Sequence, residues 1–286
     1  MVNYVVNLTN NTDAGTIYGT VSNTLVTWTS PGGMVPVQTY LATNPIVSAG
    51  QYTVALPGFD DITEGPVGYS VFTVGLATNG TATLTGYLAD NTPVSQVAQL
   101  SALGICPIYI PLYANGTGGL LMGRLTFTND LAEYESLTTN SSLIWFNANG
   151  ATPNLYPLGF TNEAVAFACT YSTNGSYYTD ALGSGSSSGY GYVVFSGGNL
   201  GANAVVKKVG ITNNVITPIS LSDQANLSLT INTNTGAITG SYRELNKPIH
   251  SINSIQGAIF QNGSYSTGYF FGSNTNESGL FMLFGE

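Results

Sequence analysis

Five Asn-Gly pairs punctuate this chain: Asn79-Gly80, Asn115-Gly116, Asn149-Gly150, Asn174-Gly175 and Asn262-Gly263. Asn and Gly both tolerate φ > 0, which the two-residue type I′ hairpin turn requires at its two central positions. The segments between these pairs alternate in polarity with a period of two. In Leu227-Ser-Leu-Thr-Ile231 the residues Leu227, Leu229 and Ile231 would face a core while Ser228 and Thr230 face water, because successive side chains of a strand point to opposite faces. Runs starting at Thr81, Gly119 and Tyr190 repeat the pattern. Alternating runs joined by such turns predict antiparallel hairpins throughout, hence an all-β fold. The best short helical stretch is Val97 to Leu103.

Two long segments share an order of features. Ile108-Tyr-Ile-Pro-Leu-Tyr-Ala-Asn115-Gly leads into Gly118-Gly-Leu-Leu-Met-Gly123, and Ile255-Gln-Gly-Ala-Ile-Phe-Gln-Asn262-Gly leads into Gly268-Tyr-Phe-Phe-Gly272. Each reads as a strand, a turn and a second strand broken by glycine. Glycine within a strand marks a bulge or a tight bend at a barrel corner. The expectation is an antiparallel meander with internal hairpin repeats, closed or nearly closed into a barrel, which removes exposed edges. Residues 1–286 read as a single all-β domain, in two lobes if the Gly/Ser-rich stretch 181–191 acts as a flexible connection. The terminal segments Asn3–Thr9 and Leu280–Phe284 would close one barrel or extend the sheet of a like subunit by strand addition.

Charge is scarce. Only 7% of the 286 residues are Asp, Glu, Lys or Arg, the net charge is −9, and the only basic residues are Arg124, Lys207, Lys208, Arg243 and Lys247. Nucleic-acid phosphates are neutralised by clustered Lys and Arg, so nucleic acid is not an expected partner. No apolar run is long enough for a transmembrane helix. The start of the chain lacks the basic and long apolar regions of a signal peptide.

Catalytic constellations are hard to assemble from this inventory. His250 is the only histidine, so a Ser-His-Asp triad would have to recruit it with Asp223 or Glu244. Asp60, Asp61 and Glu64 sit in a Gly/Pro-bounded loop and read as a solvated acidic turn; Glu133 and Glu135 would share one strand face, where like charges repel. No catalytic residue, metal site or cofactor is expected, and the chain does not read as an enzyme. Most of the 18 tyrosines suit a pleated core. Tyr171, Tyr177, Tyr178, Tyr190 and Tyr192 cluster around polar, glycine-rich sequence and are the expected exposed patch, with carbohydrate as its ligand.

Several stretches together resemble the β-rich modules of very large secreted bacterial surface proteins of the verrucomicrobial type. They are Ala49-Gly-Gln-Tyr-Thr-Val-Ala-Leu-Pro-Gly58, Leu84-Thr-Gly-Tyr-Leu-Ala-Asp-Asn-Thr-Pro-Val-Ser95, Pro107-Ile-Tyr-Ile-Pro-Leu-Tyr113, Gly159-Phe-Thr-Asn162, Val194-Phe-Ser-Gly-Gly-Asn-Leu200 and the closing Gly257 and Gly268 segments. Their order spans roughly residues 45–284. The chain departs from that pattern at Cys106, where such modules usually carry Trp. The resemblance implies an extracellular or cell-surface location and a structural or adhesive role, as a subunit of a surface fibre or layer. The alternatives are a carbohydrate-binding module using the exposed tyrosines and a viral coat or spike protein. In an oxidising extracellular setting Cys106 and Cys169 are expected to form one disulfide; the rival reading is two separately buried thiols.

Overall fold

The structure, a computed structural model, describes residues 5–11, 16–22, 27–28, 47–101, 103–113, 116–128, 141–152, 154–173, 188–198, 200, 204–212, 215–220, 226–243, 252–272 and 277–286. Strands dominate them and all pair antiparallel. At the N-terminus β1 (Val5–Asn11), β2 (Thr16–Ser22) and β3 (Thr27–Trp28) form a three-stranded sheet in that order.

The first large unit has two sheets around one core. β4 (Gly50–Leu56), β5 (Ser70–Leu76), β6 (Thr81–Tyr87) and β7 (Pro93–Gln99) form a meander, and β12 (Phe167–Tyr171) adds beside β4. The facing sheet contains β8 (Ile105–Leu112), β9 (Gly119–Thr126), β10 (Ser142–Asn147) and β11 (Phe160–Val165). Val54, Leu56, Phe72, Val74 and Leu84 meet Ile108, Leu121, Leu125, Leu143 and Trp145 in the same cluster. At one corner only Ala166 separates β11 from β12, so the chain switches sheets there. At the other, β7 lies beside β8 without a shared ladder. Backbone N–H groups alternate sides along a strand, and β8 carries proline at 107 and 111. Proline has no N–H and is confined to such edges. Between the two prolines the N–H of Tyr109 donates to Gln96 Oε1 at 2.9 Å, and Gln96 Nε2 donates to the Pro107 carbonyl at 2.9 Å. One glutamine side chain thus stitches the seam.

The second unit is an eight-stranded sheet, ordered β15-β14-β13-β20-β19-β18-β17-β16. Its strands are β13 (Ser188–Gly197), β14 (Val205–Thr212), β15 (Val215–Pro218), β16 (Leu227–Ile231), β17 (Ala237–Tyr242), β18 (Ile252–Phe260), β19 (Tyr265–Gly272) and β20 (Ser278–Gly285). β15 lies against β16, which brings the sheet to a nearly closed barrel. Val193, Phe195, Ile238, Ile259, Phe270, Phe281 and Leu283 fill it. The opposite faces of β18 and β19 contribute Ala258, Phe260 and Tyr269 to the first unit's core. Backbone and side-chain bonds sew the junction: Tyr69 N–H donates to Gly268 O at 3.1 Å, and Thr53 Oγ1 donates to Ile259 O at 2.7 Å.

The all-β antiparallel expectation holds, and the two matching hairpin segments are β8–β9 and β18–β19. Their strand glycines answer to backbone proximity: a Cβ at Gly268 would lie 2.0 Å from Gln256 O, and one at Gly123 2.2 Å from Ser142 O. Other expectations change. Among the described residues the Asn-Gly turns are not type I′; Asn115 and Asn174-Gly175 lie outside them. At Asn79-Gly80 only Gly80 has positive φ (79°), and Asn91 (67°) and Gly104 (74°) play the same part in the next two connections. In each, the residue three before it accepts its N–H and donates across the turn, as in Ala77, Leu88 and Ser101. This is a type I turn closed by one left-handed residue. At Asn262-Gly263 the left-handed residue is Ser264, after a single 3-10 turn. Val97–Gln99 belongs to β7, not to a helix. β20 is an interior strand between β13 and β19, so Leu280–Phe284 neither closes a barrel with β1 nor offers an edge. Of the stretch 181–191, Ser188–Gly191 is in β13, and the rest lies outside the described residues.

Candidate binding surfaces

Tyr190 and Tyr192 alternate with the interior residues Gly191 and Val193, so both point outward from the barrel. Tyr190 is 57% exposed. Cross-strand register places Lys208 and Phe284 on either side of Tyr192. The Lys208 ammonium stands 5.1 Å from the Tyr190 ring centre and 5.7 Å from that of Tyr192, and 2.7 Å from Glu286. Its hydrogen bond with Glu286 raises the lysine pKa, and the same bond lowers that of Glu286. A cation therefore already occupies ring faces that a sugar would need.

The other tyrosines of the expected patch do not join it. Tyr171 is buried, packs with the barrel core, and donates from its hydroxyl to Thr233 O at 3.1 Å. Its place on β12 points the ring inward, so its assignment to an exposed patch is corrected. Tyr177 and Tyr178 lie outside the described residues.

The expected disulfide is not formed. Cys106 sits on β8 and Cys169 on β12, strands of different sheets that are not neighbours. Both are buried in the first core, where Cys169 Sγ lies 3.3 Å from Thr53 Oγ1. Burial pushes the Cys106 thiol up to about 12, which suppresses the reactive thiolate.

A buried polar cluster marks the junction between the units. Asp90, in the β6–β7 turn, is 4% exposed. Its Oδ1 accepts Thr92 N–H at 2.9 Å and its Oδ2 accepts the Tyr113 hydroxyl at 2.5 Å. Trp145 Nε1 in turn donates to the Tyr113 oxygen at 2.9 Å. From the second unit, Tyr269 donates to Asn91 Oδ1 at 2.9 Å. Desolvation raises the Asp90 pKa despite these bonds. Burial, reinforced by the Asp90 charge, drives Tyr113 and Tyr269 upward, and burial pushes Tyr156 up to about 12. Tyr113, Tyr156 and Tyr269 therefore keep their protons near neutral pH. Tyr113 itself has φ +54°, a conformation that costs a non-glycine residue about 1–3 kcal/mol and is held by this hydroxyl anchorage. No sequence motif announces the cluster, because its members come from five separate segments.

A cleft opens beside that junction. It measures about 370 Å³ and is bounded by outward residues of β5–β7 on one side and of β17–β18 with the preceding turn on the other. Thr73, Thr85 and Tyr87 face Thr239, Gln256 and Asn232 across it. Sequence reading missed this site, since its halves, Val71–Val94 and Asn232–Ala258, are far apart in the chain.

In the acidic loop Asp61 Oδ1 accepts both the N–H and the hydroxyl of Thr63 at 2.8 Å, and these bonds lower its pKa. Among the described residues no group of His, Cys, Asp or Glu is arranged to hold a metal ion. His250, Asp223, Glu244, Glu133 and Glu135 lie outside the described residues. No helix among the described residues is long and apolar enough to cross a membrane.

No family model matches the chain, and no curated protein does. Two solved structures show a distant likeness. One is a protein of unknown function from the DUF3598 family of Nostoc punctiforme, at 11% identity over 82% of this chain and 94% of that one, with a TM-score of 0.21. The other is a double mutant of transferrin binding protein B from Haemophilus parasuis, at 8% identity over 99% of this chain and 65% of that one, with a TM-score of 0.25. At such values no residue here acquires a role from either.

Proposed function

We propose that this chain is an extracellular, structural or adhesive β module that joins like subunits by strand addition into a surface fibre or layer. The supporting observation is β1. Among the described residues its only ladder is with β2, which leaves one full edge of seven residues. The register from Val5↔Ser22 to Asn11↔Thr16 runs without a bulge. The strand reads Val-Val-Asn-Leu-Thr-Asn-Asn, with no charge and no proline. Proteins normally blunt exposed edges with Lys, Pro or bulges; an edge with none of these is suited to accept a strand.

Sedimentation velocity and negative-stain microscopy over rising concentration test this. Ordered oligomers are expected, and Val6→Lys with Leu8→Lys should return the chain to a monomer while its melting curve stays intact. A wild-type chain that remains a compact monomer at high concentration refutes the reading.

A further inference from the structure

We infer that the cleft between the two units binds a neutral oligosaccharide through the side chains of Tyr87, Thr85, Thr239 and Gln256. The inference does not depend on self-assembly. It rests on what the cleft contains and on what its walls cannot do.

Its volume, about 370 Å³, falls in the range of roughly 300–1,000 Å³ where small-molecule sites lie. Threonine hydroxyls at 73, 85, 235 and 239 and amides at Asn232 and Gln256 line it, and no Asp, Glu, Lys, Arg or His does. A charged ligand would lose its hydration there and find no counter-charge, which is costly. A polyol loses nothing of the kind, because each of its hydroxyls donates and accepts, as threonine hydroxyls and carboxamides do. Sugars also present apolar C–H faces. Tyr87, 38% exposed and opposite Pro93 in the β6–β7 register, supplies a flat apolar rim for one. Val71, Pro93, Val94, Ala237 and Ala258 supply the apolar side chains of the lining.

The walls exclude the main competitor, an extended peptide. Such a peptide is captured by adding a strand to a sheet edge. Here β5, β6, β17 and β18 each pair with a strand on both sides, and β7, which pairs only with β6, has β8 along its other side, so the cleft is lined mainly by sheet faces whose backbone groups are already engaged. Recognition must come from side chains. Those side chains are also held in place before binding: Thr73 and Thr85 hydroxyls lie 3.1 Å apart across β5 and β6. The junction bonds of Tyr269 to Asn91 and of Tyr69 to Gly268 hold the two walls together. A preformed polar site loses less entropy on binding.

The test is a titration of the full-length, isotope-labelled chain with a panel of neutral gluco-, manno-, galacto-, xylo- and N-acetylglucosamine oligosaccharides, read by amide chemical shifts. At least one should give saturable shifts centred on Thr85, Tyr87, Thr239 and Gln256. Tyr87→Ala should weaken that sugar roughly tenfold, about 1.4 kcal/mol, with an unchanged melting curve, while Tyr190→Ala leaves binding as it was. The Val6→Lys, Leu8→Lys chain should bind equally, which separates sugar binding from assembly. No response to any neutral sugar overturns the inference. So do shifts confined to the Tyr190–Tyr192 face, or full affinity in Tyr87→Ala.

Discussion

Replacing Tyr113 with Phe removes one oxygen from the centre of the junction cluster and nothing else. That oxygen does two things: its proton satisfies Asp90 Oδ2 at 2.5 Å, and its lone pair accepts Trp145 Nε1–H at 2.9 Å. Asp90 is 4% exposed and Trp145 fully buried, so water does not readily replace the hydroxyl. A hydrogen bond to a charged group contributes roughly 1.5–3 kcal/mol, and an orphaned buried donor costs about 1–3 kcal/mol. The two losses share a site and do not simply add, so the expected destabilisation is about 3–5 kcal/mol. A chain of this size shifts by roughly 2–4 °C per kcal/mol, which predicts a fall in melting temperature of about 10 °C. The pH dependence is the sharper signature. Desolvation already raises Asp90, and the Tyr113 bond opposes that rise; without it the carboxyl climbs further. Between the ordinary carboxylate pKa and the raised one, the folded state holds a proton that the unfolded state has released. Stability therefore falls as pH rises through that window, and falls more in the variant. Thermal melts followed by tryptophan fluorescence should show a deficit that is smaller at acidic pH, where only the Trp145 N–H loss remains in full, and widens toward neutrality. A deficit below about 1 kcal/mol, the scale of an ordinary solvent-compensated hydrogen bond, or one that is flat with pH, would refute the account of the cluster.

Two further outcomes follow from the packing. Maleimide should label neither cysteine in the native chain and both after denaturation without reductant, because each is buried and no disulfide joins them; one labelled thiol or none would contradict this. Gly268→Ala should cost roughly 3 kcal/mol or prevent folding, since its Cβ would lie 2.0 Å from Gln256 O and overpacking against backbone cannot relax cheaply. Gly50→Ala, with nothing within 4 Å, should melt like the wild type.

Period-two alternation was enough to establish the strands and their antiparallel pairing, because which face a side chain takes is a local property of extended backbone. Leu227, Leu229 and Ile231 are buried, and Ser228 and Thr230 are exposed, as the pattern requires. The strand glycines stood out in the sequence but their reason did not: Gly123 and Gly268 were expected at bulges or corners and instead stand where a neighbouring backbone leaves no room for a Cβ. Turn type was not legible, since Asn-Gly permits a left-handed pair without enforcing one, and the strand twist settled on a single left-handed residue at Gly80. Tyr171 illustrates the limit more strongly. Its neighbours are polar and glycine-rich, yet its strand pairs with β4 and carries the ring into the core. Exposure of an aromatic depends on which sheet covers it, and that is fixed by partners more than a hundred residues away. The junction cluster and the cleft are of the same kind. Asp90, Tyr113, Trp145 and Tyr269 carry no common spacing, and Tyr87 and Gln256 meet across a gap that exists only once two sheets have packed. Local alternation wrote the strands; long-range pairing decided which of their faces touch, which stay wet and where a ligand could enter.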